Sequence, residues 1–326
     1  MRFALMIEPQ QGLTYGDQVA IAKRAEANGF ETLFRSDHYQ SFPGSAGRPT
    51  TDAWAVLAGL ARETQRIGLG ALGSPVTFRH PGSFAKVVTT VDEMSGGRVE
   101  AGVGAGWNEL EHRQLGLPFP PIQERADLLE DALAILLGLW GEPDGWSYVG
   151  RQASIADASF HPKPVDVPGR PRTGTGGARP RILIGGGGTP RSYRLAARYA
   201  DEFNLNADSP DHTRAACAEL DGACQAIGRD PATLTRSAMV RVLVGRSDAE
   251  LTERMAAAAE AFGSAVDDVA WLAELETRWI AGTPDQAREK VRLYEAAGAQ
   301  RIMLQDFLPW DLDMIDVMGD SLIGRI

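Results

Sequence analysis

The sequence predicts an α/β protein of the (β/α)8 TIM-barrel class, with insertions, folded as a single domain over residues 1–326. Eight short apolar runs of strand length alternate with segments of helical periodicity. Strands that alternate with helices pair in parallel through right-handed crossovers. For a chain of 326 residues with eight such strands, a closed barrel is the simplest arrangement. An open doubly wound sheet is the rival, but the chain lacks the G-x-G-x-x-G fingerprint of that fold at its glycine-rich turn.

The strand-like and helix-like segments follow one another along the whole chain. Strands are expected at residues 3–7, 32–34, 67–72, 98–103, 182–184, 202–205, 238–244 and 301–304. Helices are expected at residues 17–28, 52–63, 80–94, 123–140, 190–197, 210–227, 284–297 and 311–318. Glycines at residues 29, 96 and 298 supply helix stops.

Two insertions interrupt the alternation, near residues 141–180 and 248–278. The first is rich in Gly, Pro and Arg and contains only weak strands, at residues 147–149 and 158–161. The second is charged and Ala-rich, which predicts further helix. Segments of this length between barrel elements usually carry function or are mobile.

Composition restricts the class of partner. The net charge of −10 argues against nucleic acid, and no apolar run approaches the ~20 residues of a membrane span. The start of the chain does not read as a signal peptide. The two cysteines, Cys217 and Cys224, indicate a reducing compartment, and no ligand set for a metal accompanies them. We therefore expect a cytoplasmic protein that acts on a small molecule and binds no metal.

Four consecutive glycines, Gly185 to Gly188, follow the fifth predicted strand. Thr189 and Pro190 then open a helix, with a hydroxyl residue at the N-cap and proline at the first helical position. A strand, a glycine turn and a helix start in this order form an anion site, because free N–H groups and the helix dipole meet there. The alternative is a plain turn whose glycines adopt positive φ.

Polar residues and glycines collect at the carboxyl ends of the predicted strands, where active sites of barrels lie. Ser36-Asp37-His38 follows the second strand, Gly73-Ser74 the third and Gly104 to Glu109 the fourth. His38 is the first candidate for catalysis, because imidazole exchanges protons near neutral pH. The alternative for His38 is a capping or core role.

These pieces together resemble the bacterial luciferase-like superfamily, and most of all its coenzyme F420-dependent oxidoreductases. The order and spacing of the pieces extend over nearly the whole chain. The matching segments are Ser36-Asp37-His38, Gly73-Ser74, Gly102 to Glu109, Leu117-Pro118-Phe119 with Arg125, Ile184 to Gly188, Ala196 to Asp201, and Gly282-Thr283-Pro284.

The resemblance implies a barrel, often a homodimer, that holds a deazaflavin or flavin against the third-strand turn. That turn is expected to contain a non-proline cis peptide at Gly73-Ser74, unless it is an ordinary Ser-Pro turn. His38 would face the reacting end of the ring, and Asp37 would bind the cofactor or fix the His38 tautomer. The expected cofactor-binding residues are Asp37, Gly73, Ser74, Gly104, Ala105, Gly106, Asn108, Gly185, Gly186, Gly187, Gly188 and Thr189.

One departure from the family pattern concerns the substrate. Relatives that oxidise sugar phosphates carry a catalytic carboxylate where this chain has Trp107, and a tryptophan near the position of Phe42. Glu109 would replace the acid only if a turn brought it inward, and otherwise it caps the following helix. Trp107, Phe42 and Tyr39, with Trp310, predict an apolar or aromatic substrate.

The expected reaction is therefore reduction of a C=C, C=N or C=O bond by reduced F420, with His38 or a water as proton donor. An FMN-dependent monooxygenase that uses O2 is the alternative, and a non-catalytic flavin-binding protein is a third reading. Six arginines are expected near the proposed face to hold the acidic F420 tail, unless they form ordinary solvated surface. They are Arg48, Arg79, Arg170, Arg172, Arg179 and Arg191.

Overall fold

The computed structural model describes residues 1–42, 47–207 and 209–326. Its strands are β1 (Arg2–Ile7), β2 (Thr32–Arg35), β3 (Gly68–Pro75), β4 (Val99–Gly104), β5 (Trp146–Val149), β6 (Ser154–Ala158), β7 (Arg181–Gly186), β8 (Glu202–Asn206), β9 (Thr235–Val244), β10 (Trp279–Gly282) and β11 (Arg301–Asp306). Its helices are α1 (Tyr15–Ala27), α2 (Ala53–Glu63), α3 (Pro81–Ser95), α4 (Glu109–Leu115), α5 (Ile122–Gly141), α6 (Pro190–Tyr199), α7 (Pro210–Ala226), α8 (Asp248–Phe262), α9 (Val269–Arg278), α10 (Pro284–Ala296) and α11 (Leu312–Leu322).

Eight parallel strands close into the predicted barrel. The order around it is β1, β2, β3, β4, β7, β8, β9 and β11, and β11 pairs with β1 to complete the ring. The register of the closing pair runs from Arg2 opposite Arg301 to Ile7 opposite Asp306. The carboxyl ends of all eight strands therefore lie at one rim, which we call the mouth.

Side chains that point into the barrel fill it with apolar groups in the middle and an ion cluster at its amino-terminal end. Phe34, Leu183 and Met303 belong to the interior cluster. Below them, fully buried Arg301 lies 2.8 Å from Glu100 and 3.2 Å from Glu202. Burial alone would raise the pKa of Glu100, but the Arg301 charge outweighs it and lowers that pKa to about 2. This end of the barrel is thus closed.

Most helix ends lie where the capping residues predict them. The first helix begins at Tyr15, before the predicted residue 17, because Thr14 and Asp17 form a capping box. The third helix is capped by the His80 side chain and ends at Gly96, whose φ is 69°.

Two short elements of the barrel, α4 and β10, were not predicted. Their lengths of 7 and 4 residues are too short for a periodic pattern to develop. The short strand β10 pairs in parallel with the last residues of β9, beyond the point where β8 ends, and so extends the barrel wall at the mouth.

The first insertion forms an antiparallel hairpin, β5–β6, outside the barrel. The second strand of the hairpin was predicted at residues 158–161 and lies at Ser154–Ala158 instead. The turn sets this register, because the Asp131 carboxylate accepts hydrogen bonds from the N–H groups of Gln152 (2.6 Å) and Ala153 (3.0 Å).

The second insertion forms α8 and α9, which lie beside the mouth. Aromatic rings join it to the barrel: Phe262 contacts Trp271, Trp279 and Phe307 with centroid separations of 4.8–5.7 Å. Across the described ranges of the chain, the helices are all too short or too polar to cross a bilayer.

Candidate active site

Two adjoining cavities occupy the mouth of the barrel. The first, about 340 Å³, is lined by five glycines at or just beyond the carboxyl ends of β3, β4 and β7, and we call it the glycine cavity. The second, about 350 Å³, is lined by Phe42, Phe262 and Phe307 with several polar groups, and we call it the aromatic cavity. The residues common to both are His38, Leu72, Trp107, Asn206 and Met239. A ligand that spans both cavities would pass His38.

The His38 imidazole is held by a carboxylate that the sequence did not single out. Nδ1 of His38 lies 3.0 Å from Oε1 of Glu111, and the other Glu111 oxygen accepts the Tyr39 N–H at 3.0 Å. Glu111 is buried, and its carboxylate oxygens serve as acceptors, so the Nδ1–H form of His38 satisfies this contact. Nε2 has no polar partner within the described part of the chain and is left to exchange a proton with a ligand.

Two aromatic rings pack against the imidazole of His38. The Phe42 ring meets it edge-on with centroids 4.7 Å apart, and Trp107 does so at 5.5 Å. Trp107 itself is 66% exposed at the rim. The structure thus brings together three of the predicted residues, His38, Phe42 and Trp107, at the aromatic cavity.

Glu111 belongs to a recognisable sequence motif, but that motif indicates a helix start and not a contact with His38. Asn108 is the N-cap of α4, and the spacing Asn108-x-x-Glu111 is that of a capping box, which indicates a helix start. Here the Glu111 side chain turns to His38 instead. Neither expectation for Glu109 holds: it is exposed, it does not turn inward, and the cap is Asn108, whose Oδ1 accepts the Leu110 N–H at 3.2 Å.

Asp37 and Ser74 lie behind the cavities and do not line either one. The Asp37 Oδ2 atom accepts hydrogen bonds from the Ser74 hydroxyl and from Arg79, both at 2.8 Å. Trp54 Nε1–H donates to Ser74 Oγ at 2.8 Å. The expectation that Asp37 fixes the His38 tautomer is wrong, because Glu111 does so. Asp37 Oδ1 is buried and has no hydrogen-bond partner among the described residues.

Tyr39 and Trp310 also lie away from the two cavities. The Tyr39 hydroxyl donates to Asp52 at 2.6 Å and accepts from Arg79 at 2.8 Å. Burial and the bond to Asp52 raise the pKa of Tyr39, so the hydroxyl keeps its proton. Trp310 lies in an outer groove beside Arg254. Tyr39 therefore supports the turn after β2 and does not form a cavity wall.

The third-strand turn contains the expected non-proline cis peptide, but one bond earlier than predicted, at Leu72–Gly73. Ser74 is opposite Val103 in the β3–β4 register, and the irregularity lies between Ala71 and Ser74. Because the Ser74 hydroxyl is tied to Asp37 and the residue is back in the sheet, the bulge falls before it. Leu72 and Gly73 line the glycine cavity.

The glycine cavity has room where side chains would stand. A Cβ built on Gly104, Gly186 or Gly187 has no heavy atom within 4 Å. Gly106 has φ of 80°, a conformation that favours glycine. The cavity is lined by Gly73, Gly104, Ala105, Gly106, Gly185 and Gly186 of the predicted cofactor-binding residues. Asn108 does not line it, because its side chain caps α4.

Gly187, Gly188 and Thr189 continue the glycine wall toward α6. Gly188 has φ of 81° and packs against the Tyr193 hydroxyl. The Thr189 hydroxyl caps α6 by accepting the Ser192 N–H at 3.2 Å. Within the described ranges the N–H groups of Gly187 and Gly188 find no acceptor in the protein. These two amides are available to a ligand.

The six arginines do not form the expected basic patch at the mouth. Three of them belong to the first insertion, where Arg170 binds Asp92 near the end of α3, and Arg179 binds Asp201 just before β8. Both acids precede strands and therefore lie at the closed end of the barrel. The other three are Arg79, paired with Asp37 and Asp52, Arg191, paired with Asp127, and Arg48, which lines neither cavity.

Comparison with known proteins identifies one family, and the similar proteins include both F420-dependent enzymes and a monooxygenase. Residues 1–301 match the family model described as luciferase-like monooxygenase. An F420-dependent glucose-6-phosphate dehydrogenase of Microbacterium testaceum is 35% identical over 182 residues, 55% of this chain and 49% of that one. The chain thus spans about half the length of this relative.

Two solved structures share the fold over almost their whole length. The coenzyme F420-dependent tetrahydromethanopterin reductase of Methanopyrus kandleri has a TM-score of 0.79 at 21% identity, covering 99% of this chain and 98% of the other. The monooxygenase RslO1 of Streptomyces bottropensis has a TM-score of 0.80 at 20% identity, covering 99% of both chains.

Proposed function

Because the chain belongs to the luciferase-like monooxygenase family, we propose that it is a coenzyme F420-dependent oxidoreductase. In this proposal it reduces a C=C, C=N or C=O bond of a small substrate. The observation that carries the proposal is the pair of adjoining cavities that meet at His38, one walled by glycines and one by aromatic rings. Sequence relatives named for F420 dependence support the choice of cofactor.

The residues of the glycine cavity fit a flat ring with an anionic tail. The open spaces at Gly104, Gly186 and Gly187 allow a ring to lie directly on backbone. The N–H groups of Gly187 and Gly188, which have no acceptor among the described residues, lie at the start of the 10-residue helix α6 and suit the phosphodiester of F420. Charge recognition would therefore come from backbone amides and the helix dipole, since the predicted arginines are engaged elsewhere.

Reduced F420, when bound, supplies a hydride, which carries two electrons. The substrate carbon that accepts it becomes saturated, and the neighbouring atom needs one proton. His38 is placed to give that proton from Nε2, because Glu111 stabilises the imidazolium through Nδ1. Phe42 and Trp107 keep bulk water away from the ring of His38 and position an apolar substrate.

The test is a cofactor titration followed by turnover. We expect the pure protein to bind F420 and to oxidise reduced F420 when α,β-unsaturated carbonyl compounds are supplied. Tight FMN binding with no F420 binding would refute the proposal and favour the flavin monooxygenase. Binding without any turnover in a broad substrate screen would favour a non-catalytic protein.

A variant assigns the proton step. His38→Ala should leave F420 affinity within about threefold of wild type and reduce kcat by about 10²–10⁴, the usual contribution of general acid catalysis. His80→Ala, at a helix cap that lines neither cavity, is the matched control. Full turnover in the His38 variant would remove His38 from the reaction. The homodimer and the cytoplasmic location stay predictions, and size-exclusion chromatography with light scattering tests the first.

A further inference from the structure

Arg241 lies inside the aromatic cavity, and the proposed hydride transfer does not use it. It stands near the end of β9, where the neighbouring Val240 and Val242 are buried on the outer side of the strand. Met239, two residues earlier on the inner face, lines both cavities. Arg241 therefore points to the space that a substrate beside His38 would fill.

The guanidinium of Arg241, which is 34% exposed, packs among aromatic rings and keeps donors without an acceptor in the described residues. Its Cζ lies 5.4 Å from the ring centre of Phe262 and 5.7 Å from those of Trp279 and Phe307. Nη1 binds Glu274 of α9. No acceptor in residues 1–42, 47–207 and 209–326 bonds to Nε or Nη2. This edge of the guanidinium is thus left for a ligand.

The other charged group of the aromatic cavity is already satisfied. Glu8 Oε1 accepts a hydrogen bond from Gln305 at 2.6 Å, and Oε2 accepts one from Gln10 at 2.7 Å. Gln305 is opposite Arg241 in the β9–β11 register. Arg241 is the one lysine or arginine among the described residues that line this cavity. An anionic group that enters this cavity would therefore find its cationic partner in Arg241.

From this arrangement we infer that the substrate is an unsaturated carboxylic acid whose carboxylate binds the Nε and Nη2 edge of Arg241. A planar carboxylate matches two parallel N–H donors of a guanidinium. The apolar part of the acid would lie against Phe42 and Phe307, with its C=C bond beside His38. This inference rests on the proposed function and narrows its substrate class.

The reaction balances with groups already named. One alkene carbon receives the hydride from reduced F420, and the adjacent carbon receives a proton from His38, which gives the saturated acid. The substrate gains two electrons, and F420 loses them. The carboxylate on Arg241 is unchanged, so this residue acts in binding and orientation only.

The test compares cinnamate with cinnamamide, which has nearly the same shape and no charge. Both are small enough for a cavity of about 350 Å³. By isothermal titration calorimetry, the full-length protein should bind cinnamate about 10- to 100-fold more tightly than cinnamamide. Arg241→Gln should abolish this preference, and Arg241→Lys should keep part of it. Arg292→Gln, an exposed site on α10, removes the same charge and should keep all of it.

The outcomes separate this inference from the proposed function. Equal affinity for the two compounds, absence of cinnamate binding at millimolar concentration, or a preference that survives in Arg241→Gln would overturn the inference. A parallel F420 titration provides the second readout. If F420 binds and no carboxylate preference exists, the inference alone fails. If the preference depends on Arg241 but F420 does not bind, the proposed function alone fails.

Discussion

Replacing Glu111 by Gln tests the His38–Glu111 pair most directly. The carboxylate accepts two hydrogen bonds, from Nδ1 of His38 and from the Tyr39 N–H, each at 3.0 Å. A glutamine offers one oxygen, so its NH2 group must face one of these two donors. The Tyr39 N–H cannot give up its proton, so the NH2 group should face His38, where it removes the acceptor for Nδ1–H. The ring then keeps a single proton on Nε2 or turns away. A neutral imidazole is a much weaker acid than an imidazolium, so either response impairs the proton donor while the side chain keeps nearly the same size.

The magnitude follows from the bond that is lost. A hydrogen bond to a charged group contributes about 1.5–3 kcal/mol, and each 1.4 kcal/mol corresponds to a factor of ten. Glu111→Gln should therefore lower kcat about 10- to 100-fold, with KM and F420 affinity changed less than threefold. Glu111→Asp, which keeps the charge, should recover part of the loss.

The assay combines kinetics with a direct view of the ring. Single-turnover rates of reduced F420 oxidation measure the chemical step, and long-range 15N–1H NMR reports which nitrogen of His38 is protonated. Glu109→Gln is the control, because Glu109 is exposed on the same helix. Unchanged kcat in Glu111→Gln, or an unchanged Nδ1–H tautomer with a lower kcat, would refute the assignment of Glu111 as the residue that positions His38.

Three further predictions concern stability, each measured by urea unfolding. Arg301→Met leaves the fully buried Glu202 and the largely buried Glu100 without their cation and should cost about 3–5 kcal/mol; a loss below about 1 kcal/mol would contradict this reasoning. Burial raises the pKa of Asp306 to about 7. The folded state then binds more protons than the unfolded one, so this group makes stability fall as pH rises from about 4 to 7. Asp306→Asn should flatten that fall, and an unchanged slope would exclude Asp306 as its source. Gly188→Ala puts a side chain at positive φ against the Tyr193 hydroxyl and should cost about 1–3 kcal/mol; wild-type stability would show that the turn relaxes freely.

The sequence was sufficient for the barrel because strand and helix periodicities persist over the whole chain. It also located the mouth correctly, since the carboxyl ends of parallel strands must meet at one rim. The position of a residue at a strand end does not reveal the direction in which its side chain points. Asp37 and Ser74 were placed at the right rim, but their hydrogen bonds to Arg79 and Trp54 draw them behind the cavity wall.

Other features were missed because they depend on contacts distant in sequence. Glu111 acts on His38 across 73 positions, and nothing local distinguishes it from a capping glutamate. Arg241 lies within an apolar run of β9. The Phe262 ring that packs against it comes from the second insertion, so the sequence of β9 alone does not reveal its environment. We predicted that the arginines of the first insertion lie near the mouth, and this was wrong. The insertion leads into β7, and a loop that precedes a strand lies at the end of the barrel opposite the mouth.

The groups around His38 and the groups around Arg241 come from different parts of the chain. His38, Phe42, Trp107 and Glu111 all come from the first 111 residues, whereas Arg241 and the aromatic rings around it come from residues 241–307. In the proposed enzyme, proton transfer and carboxylate recognition therefore depend on separate segments of the chain. Substitutions within residues 241–307 should then change the preferred substrate and leave the His38–Glu111 pair intact.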